Sequence, residues 1–263
     1  IAHGVVAKLK NIPIKSTGFF ILFGAVLGGF VEVPDEVFEN VLEKSESSND
    51  SREQIINLKK LAAAGIVANI ILFAVFYGIA YNYNMIMSPF FTKNGIKITN
   101  VIEDSPASKA GLKIGTIIIK VNDTTIWDIQ DFITVVQKSK PGDTLVLYTI
   151  DNRTILLTVG QGTEPNKPYI GVYFSTYYRS KVPILPDSFY DYFFYFIYLT
   201  ALIQFIVILL NALPIFISDG AKFLLFWLYE HVNDKRKADN VYLITNWICL
   251  LIILLNFIFP LIR

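Results

Sequence analysis

Residues 193–220, "FFYFIYLTALIQFIVILLNALPIFISDG", decide how the rest of the chain is interpreted. The stretch is apolar almost throughout, yet its end carries Asn211, Pro214 and the pair Asp219–Gly220. A carboxylate at membrane depth is costly unless it has a strong partner. A metal ion is such a partner, so we expect the other ligands of a metal bound to Asp219 elsewhere in the chain.

The composition indicates a membrane protein. Of the 263 residues, 53% are hydrophobic and only 17% are charged, whereas soluble domains carry about 25% charged residues. The net charge of +1 leaves no basic excess for nucleic acid, which we exclude as a partner. The single cysteine, Cys249, excludes an intramolecular disulfide and a cysteine-rich zinc site.

Three segments are long enough to cross a bilayer, which takes roughly 20 apolar residues as a helix. They are Leu61–Tyr81, a run from about Phe189 to about Leu213, and Val241–Ile262. A fourth apolar stretch, Thr17–Val33, is shorter and interrupted by glycines, which favours a bent hairpin or re-entrant element. Such an element must be buried in protein or line a cavity, because lipid does not tolerate exposed strand edges.

Residues Lys93–Thr176 are polar and rich in turns, unlike their surroundings, and predict a small soluble α+β domain. A Ser-rich polar connector, Val33–Gln54, precedes the first span. Within the soluble domain we expect strands at residues 95–102, 116–122, 144–150 and 154–160, and a helix at residues 129–139.

The basic residues of the short loops predict the orientation. Three basic groups flank the apolar segments, and by the positive-inside rule each is cytoplasmic. Two crossings separate the second group from the third, so the soluble domain between those crossings is expected outside. The groups are Lys8, Lys10 and Lys15; Arg52, Lys59 and Lys60; and Lys235, Arg236 and Lys237.

Only two histidines are available as metal ligands, His3 and His231. His3 closes "IAH", which fits the last three positions of H-E-x-x-H, a helical motif whose two histidines bind one zinc and whose Glu activates water. The first His and the Glu of that motif would then lie just before Ile1. Taken alone, a histidine near a chain start is more often an ordinary residue. His231 lies beside a basic loop and is interpreted as a solvated juxtamembrane residue.

The segment "LLNALPIFISDGAKFL" resembles the N-x-x-P-x-x-x-x-D-G signature of the site-2 protease family of intramembrane zinc metalloproteases. Asn211, Pro214, Asp219 and Gly220 fall in register with it. "IAHG" resembles the end of that family's H-E-x-x-H-G motif.

Three further segments resemble the same family in the same order. "FGAVLGGFVEV" resembles its membrane-embedded β-loop. "AAAGIVANIILF" resembles its G-x-x-x-N helix, with Gly65 and Asn69 in place and Ile66 where a Pro is usual. "VIEDSPASKAGLKIGTIIIKVNDTTI" resembles a PDZ domain of the bacterial protease type, with matches at Pro106, Ala110, Gly111, Leu112 and Gly115.

The resemblance implies an α-helical polytopic membrane protein with a membrane-embedded β-loop and an inserted α+β PDZ-like domain. Residues 1–88 would form the first half of the protease core, residues 89–180 the PDZ-like domain, and residues 181–263 the second half. The protein would lie in the cell membrane with several spans. Its active site would face the cytoplasmic side and its PDZ-like domain would be extracytoplasmic.

The resemblance also implies Zn²⁺ as cofactor, with a His upstream of Ile1 as third ligand and the upstream Glu as base. If Ile1 were the true start of the protein, both would be missing and the chain would be inactive. The expected metal ligands are His3 and Asp219. Asn211 is expected to hold substrate or the oxyanion, and the remaining substrate-binding residues to be Gly28, Gly29, Phe30 and Asn69.

Several of these residues also have a purely structural interpretation. Asn211 and Pro214 could make a helix kink with an interhelical hydrogen bond, and the β-loop could be a structural re-entrant element. For Gly65 we expect helix packing rather than catalysis, because small residues let helices approach closely in lipid.

The leading hypothesis is an intramembrane zinc endopeptidase that cuts single-span membrane proteins. Its PDZ-like domain would bind peptide C-termini, exclude bulky ectodomains or act as a structural cap. The alternative is an inactive scaffold, or pseudoprotease, that binds peptides through the PDZ-like domain, and the residues before Ile1 discriminate the two. A transporter would show internal repeats with matched broken segments, and the sequence has no such repeat.

Overall fold

A computed structural model describes residues 2–22, 25–34, 37, 49–162, 167–232 and 234–258, with backbone only at 19–30, 49–51 and 257–258. The chain forms two compact units, one of Ile1–Tyr81 with Phe196–Arg263 and one of Asn82–Tyr195. The boundaries of the inserted unit thus lie outside the expected limits of 89 and 180. Most of the expected connector Val33–Gln54 lies outside the described residues, and its end is helical from Asn49.

The helices include three long ones that carry the membrane-capable sequence. In chain order the helices are α1 (Ala2–Leu9), α2 (Asn49–Tyr81), α3 (Tyr83–Met87), α4 (Pro106–Lys109), α5 (Ile129–Lys138), α6 (Phe189–Ala212), α7 (Asp219–His231) and α8 (Lys235–Ile258).

The strands form one hairpin in the first unit and the sheets of the second. They are β1 (Ser16–Leu22), β2 (Ala25–Glu32), β3 (Phe91–Val101), β4 (Ile117–Val121), β5 (Thr124–Thr125), β6 (Thr144–Thr149), β7 (Thr154–Thr158), β8 (Gly160–Gln161), β9 (Pro168–Tyr169) and β10 (Val172–Ser180).

Among the residues that the structure describes, three helices are long and apolar enough to cross a membrane, and they coincide with the three apolar segments expected to do so. They are Arg52–Tyr81, Phe189–Ala212 and Lys235–Asn256. The first and third begin earlier than the apolar runs because polar turns extend each helix at its start. In the first unit α2 packs against α1 and α7, and α7 packs against α8.

The glycine-interrupted segment forms a hairpin, as expected. Strands β1 and β2 pair antiparallel from Ser16↔Glu32 to Leu22↔Ala25, with an irregularity between Phe20 and Ile21. Glu32 closes the open end of the hairpin, since it accepts hydrogen bonds from Lys15 Nζ at 2.7 Å and Ser16 Oγ at 2.6 Å.

The inserted unit is a small α+β domain. Its main sheet has the order β10-β3-β4-β6-β7, with β5 paired to β4, and a buried core that includes Ile96, Ile118, Phe132 and Leu147. The four expected strands and the expected helix are confirmed. Strand β10 was not expected. It pairs with β3 from Val172↔Val101 to Ser180↔Phe91 and extends the domain beyond Thr176.

Candidate metal centre

The second span ends where the signature begins. Helix α6 stops at Ala212, and α7 begins at Asp219. Pro214 lies between them, cannot donate a backbone hydrogen bond and disfavours helix in the residue before it. Asn211 and Asp219 are therefore on two separate helices. At Pro214 the chain therefore breaks between two helices, and does not only kink within one helix as the structural interpretation of Asn211 and Pro214 supposed.

Ser218 shapes the turn that presents Asp219. Its Oγ accepts hydrogen bonds from the backbone N–H of Ala221 at 3.0 Å and of Ile215 at 3.2 Å, and donates to the carbonyl of Leu213 at 2.6 Å. Ser218 is thus the N-cap of α7 and also fastens the loop before it. Asp219 becomes the first residue of α7, where the helix dipole stabilises a negative charge.

Gly220 lets the two helices meet. A β-carbon at this position would lie 2.9 Å from the carbonyl oxygen of Asn211 and would overlap the carbonyl oxygen of Ala212. Backbone atoms cannot move aside cheaply, so only glycine fits here.

The structure brings His3 and Asp219 together. His3 Nε2 lies 3.2 Å from Asp219 Oδ2, although the residues are 216 positions apart in sequence. Both side chains are largely shielded, with 31% and 16% of their surfaces exposed. The pair joins α1 to the start of α7.

A backbone carbonyl orients the imidazole. His3 Nδ1 lies 2.8 Å from the carbonyl oxygen of Leu61 on α2. A carbonyl oxygen only accepts hydrogen bonds, so Nδ1 of His3 must carry the hydrogen. In the neutral ring Nε2 then carries a lone pair and no hydrogen. That lone pair faces the carboxylate of Asp219. Two acceptors at this distance require a cation between them, either a proton or a metal ion. At metal sites the ring nitrogen of a histidine that does not bind the metal usually donates to such an acceptor.

Gly65 leaves space beside this pair. A β-carbon on Gly65 would lie 2.5 Å from His3 Nε2 and would overlap Asp219 Oδ2. Gly65 lies on α2 one turn after Leu61, whose carbonyl holds His3. The glycine of the G-x-x-x-N segment therefore packs on the two expected ligand atoms, which is more specific than the general helix packing predicted for it.

The two donor atoms fit zinc. Two ligands at ~2.0–2.1 Å from one tetrahedral zinc lie about 3.3 Å apart, and Nε2 and Oδ2 are 3.2 Å apart. An imidazole nitrogen and a carboxylate oxygen are both common zinc ligands. Within the described ranges, no cluster of three or more His, Cys, Asp or Glu residues could hold a metal.

Of the other expected site residues, Asn211 and Asn69 have described side chains, and neither is hydrogen-bonded to His3 or Asp219 among the described contacts. Asn211 lies in the last turn of α6 and Asn69 one turn beyond Gly65 on α2, both half-buried. Residues 28–30 lie in β2, where they pair with residues 18–20 of β1. His231 stacks on Trp227 with ring centroids 4.6 Å apart and is half-exposed, which agrees with a juxtamembrane position.

One interaction at this centre was not expected from the sequence. Lys59 Nζ on α2 donates to Glu230 on α7, and both side chains are mostly buried. The Lys59 ammonium holds the pKa of the Glu230 carboxyl below its usual range. The pair fastens the helix that carries Asp219 to the helix that carries Gly65. Charges 171 positions apart give no sequence signal of contact.

The sequence model of Peptidase family M50 matches residues 1–255. The chain belongs to this family. Family M50 comprises the site-2 proteases, so the resemblance of the motifs is confirmed.

Relatives of this M50 chain include an uncharacterized protein of Methanocaldococcus jannaschii. The two are 28% identical over 222 residues, which are 84% of this chain and 51% of that protein. This chain thus spans about half the length of that curated relative.

Among solved structures, the PDZ domain of an SdrC-like protein from Listeria monocytogenes is similar, with a TM-score of 0.30, 23% identity and coverage of 32% of this chain and 90% of that one. The corresponding PDZ domain from Listeria innocua has a TM-score of 0.28 and 24% identity, and covers 31% of this chain and 93% of that one.

Proposed function

We propose that this M50 chain is the core of a zinc-dependent intramembrane endopeptidase that cuts membrane-spanning segments of other proteins. The observation that carries the proposal is the pair of acceptor atoms, His3 Nε2 and Asp219 Oδ2, held 3.2 Å apart against a glycine. A side chain at residue 65 would displace both atoms, so the glycine allows the two acceptors to lie at the separation expected for two ligands of one zinc ion.

His3 and Asp219 would hold the zinc, together with the histidine that the family resemblance implies before Ile1. The Leu61 carbonyl fixes the tautomer in which His3 offers Nε2, and Ser218 fixes the turn that presents the Asp219 carboxylate. When bound, zinc supplies a water of lowered pKa and polarises the scissile carbonyl. The implied upstream Glu would take the proton of that water.

The β1–β2 hairpin supports a mode of substrate binding. Its two strands pair only with each other among the described residues, so each presents a backbone edge. A transmembrane substrate cannot be cut while helical, because its backbone groups are already paired and its scissile carbonyl is shielded. An unwound segment could add to a hairpin edge as a further strand. Gly28, Gly29 and Phe30 would then contact it from β2.

Asn211 and Asn69 are proposed to bind substrate near the zinc. Their amides can donate to a peptide carbonyl or to the oxyanion that forms from it. Asn211 lies eight positions before Asp219, across the Ser218 turn, and Asn69 lies one turn beyond Gly65. Both assignments rest on the resemblance to the family signature and on this placement.

The inserted domain is proposed to act as a PDZ domain on the extracytoplasmic side. It would bind peptide C-termini or exclude substrates with bulky ectodomains. Its main sheet ends in β10, an edge strand of the kind to which PDZ ligands add. The orientation follows from the cytoplasmic placement of the basic loops, and the zinc site would then face the cytoplasmic side.

Zinc content and cleavage together test the proposal. The protein expressed from its full coding sequence is compared with Asp219→Ala and with Asp234→Ala, a control on a half-exposed carboxylate paired with Lys237. We expect bound zinc and cleavage of a single-span substrate in the parent and the control, with both lost in Asp219→Ala. If the parent is folded but binds no zinc and cuts no substrate, the proposal of an enzyme is wrong. The alternative of an inactive scaffold that binds peptides would then remain.

A further inference from the structure

The inserted unit has a second apolar core, separate from that of its sheet. Tyr83, Met87, Phe91 and Tyr190 are buried together, and we refer to these four residues as the stalk cluster. Tyr83 and Tyr190 meet edge to face with ring centroids 5.0 Å apart. The cluster draws on α3, on the start of β3 and on the first turn of α6, which are the segments by which the chain enters and leaves the domain.

Hydrogen bonds fasten the stalk cluster. Tyr83 OH donates to the carbonyl of Tyr190 at 2.6 Å, and Tyr190 OH donates to the side chain of Asn84. Burial raises the pKa of Tyr83 to about 12, so this phenol remains a donor throughout the physiological range. Helix α3 and the first turn of α6 are therefore held together as one rigid base.

The carboxylate of Asp187 secures the chain where it leaves the sheet. Asp187 accepts from the backbone N–H of Ser180 at 2.7 Å and from the hydroxyl of Tyr177. Burial and the neighbouring carboxylate raise the pKa of Tyr177, so this donor is also uncharged. The turn between β10 and α6 thus has a defined conformation.

Four large apolar side chains point away from this base. Their exposed fractions are 69% for Met85, 40% for Ile86, 45% for Phe90 and 87% for Ile184. We call these four residues the apolar collar. Exposed apolar groups that lie close together mark contact with a partner or a membrane, whereas single exposed residues are normal.

Backbone and side-chain hydrogen bonds join the parts of the collar. Ser88 Oγ donates to the carbonyl of Met85 at 2.8 Å. The backbone N–H of Lys181 donates to the carbonyl of Phe90 at 2.8 Å, and its Nζ donates to the carbonyl of Ser88 at 2.9 Å. The turn with Ile184 is thereby tied beside the turn with Met85 and Phe90.

The chain itself identifies what covers the collar. The first membrane-capable helix ends at Tyr81, four positions before Met85, and the second begins at Phe189, five positions after Ile184. Both parts of the collar thus adjoin the end of a span. The start of α6 carries exposed tyrosines, including Tyr192 and Tyr195, and tyrosine is enriched where helices cross the membrane–water boundary.

We propose that the apolar collar is inserted into the interfacial layer of the bilayer, and that the stalk cluster holds it there. Lipid is the occupant because both parts of the collar are joined to spans by only a few residues. This inference does not depend on proteolytic activity.

Depth measurement by a nitroxide label tests the proposal. In a Cys249→Ala background, Ile184→Cys is labelled in the full-length protein in vesicles of phosphatidylcholine and phosphatidylglycerol. Leu156→Cys is the matched control, since Leu156 is 64% exposed on β7 at the other edge of the sheet. Collision rates with oxygen, which concentrates in lipid, and with a nickel chelate, which remains in water, are then compared.

We expect the ratio of oxygen to nickel collisions to be at least threefold higher at residue 184 than at residue 156. Equal ratios at the two positions would overturn the proposal, because the collar would then lie in water. Shielding of residue 184 from both reagents would overturn it as well, since protein would then cover the collar. If Ile184→Cys does not fold, Met85→Cys gives the same reading from the other part of the collar.

Discussion

Replacement of Gly65 by alanine separates a metal site from a simple ion pair. The new methyl carbon would lie 2.5 Å from His3 Nε2 and would overlap Asp219 Oδ2, whereas ordinary van der Waals contact begins at 3.4 Å. One or both ligand atoms must therefore move by about 1 Å, and a misplacement of about 1 Å at a reacting centre costs ~100-fold in rate. Disturbed support of a metal ligand lowers metal affinity about 10–100-fold.

The same substitution should have little effect on global stability. Overpacking costs about 1–3 kcal/mol, and alanine is favoured over glycine within a helix by about 1 kcal/mol. The free energy of unfolding should therefore fall by no more than about 2 kcal/mol. We thus expect Gly65→Ala to be folded but to bind zinc about 10–100-fold more weakly. Its rate of substrate cleavage should fall by at least the same factor.

The assay is a zinc titration against a competing chelator, with thermal unfolding and substrate cleavage measured on the same samples. Gly78→Ala on the same helix is the matched control, because a β-carbon there meets nothing within 4 Å. The reasoning fails if Gly65→Ala binds zinc as tightly as Gly78→Ala and cuts substrate at the same rate. It also fails if the two variants lose zinc equally.

Three further predictions concern the residues that support these elements. Ser218→Ala should lower the free energy of unfolding by about 1 kcal/mol, the usual contribution of an N-cap. It should also weaken zinc binding. Unchanged zinc affinity would show that the turn does not position Asp219. Asp128 caps α5 and its pKa is held below the usual range by the ammonium of Lys93, 2.8 Å away. Its stabilisation is therefore present above the unfolded carboxyl pKa of about 3.9 and is lost as the pH falls through the lower folded value. Asp128→Asn should flatten this part of the pH–stability curve of the full chain, and an unaltered curve would contradict the assignment. Lys59→Met should lower the unfolding temperature because it leaves the mostly buried Glu230 carboxylate without its ammonium partner. The double variant Lys59→Met with Glu230→Leu should recover part of this loss. A double variant less stable than Lys59→Met alone would contradict the reasoning.

The sequence predicted the elements whose signals are local. The three spans follow from long apolar runs, and the helix of the inserted domain from its periodicity between turn residues. Strand β10 was missed because "VYFSTYYRS" mixes tyrosines with small polar residues, so its pairing with β3 is set by tertiary contacts. The start of α2 was missed because residues 49–60 are polar and look like connector.

The sequence singled out His3 and Asp219, which the structure brings together, but it did not predict the geometry around them. Asp219 drew attention as a carboxylate beside an apolar run, and His3 was assigned through the family motif. The break between Asn211 and Asp219 could have been inferred from Pro214 followed by the Ser-Asp pair, which is a common signal for a new helix start. The contact between His3 and the Leu61 carbonyl could not have been inferred from the sequence. Every residue carries a backbone carbonyl, and only the folded structure determines which one lies beside the imidazole.

The separation of His3 and Asp219 has a consequence for biosynthesis. Ribosomes add about 5–20 residues per second, so the 216 positions between the two side chains correspond to roughly 10–40 s of translation. Throughout that interval the nascent chain lacks Asp219 and cannot assemble the pair. A polypeptide released at any point before α7 would lack the Asp219 carboxylate and therefore one of the two proposed zinc ligands. If the proposed zinc site is required for cleavage, the order of the residues along the chain delays activity until nearly all of it has been translated.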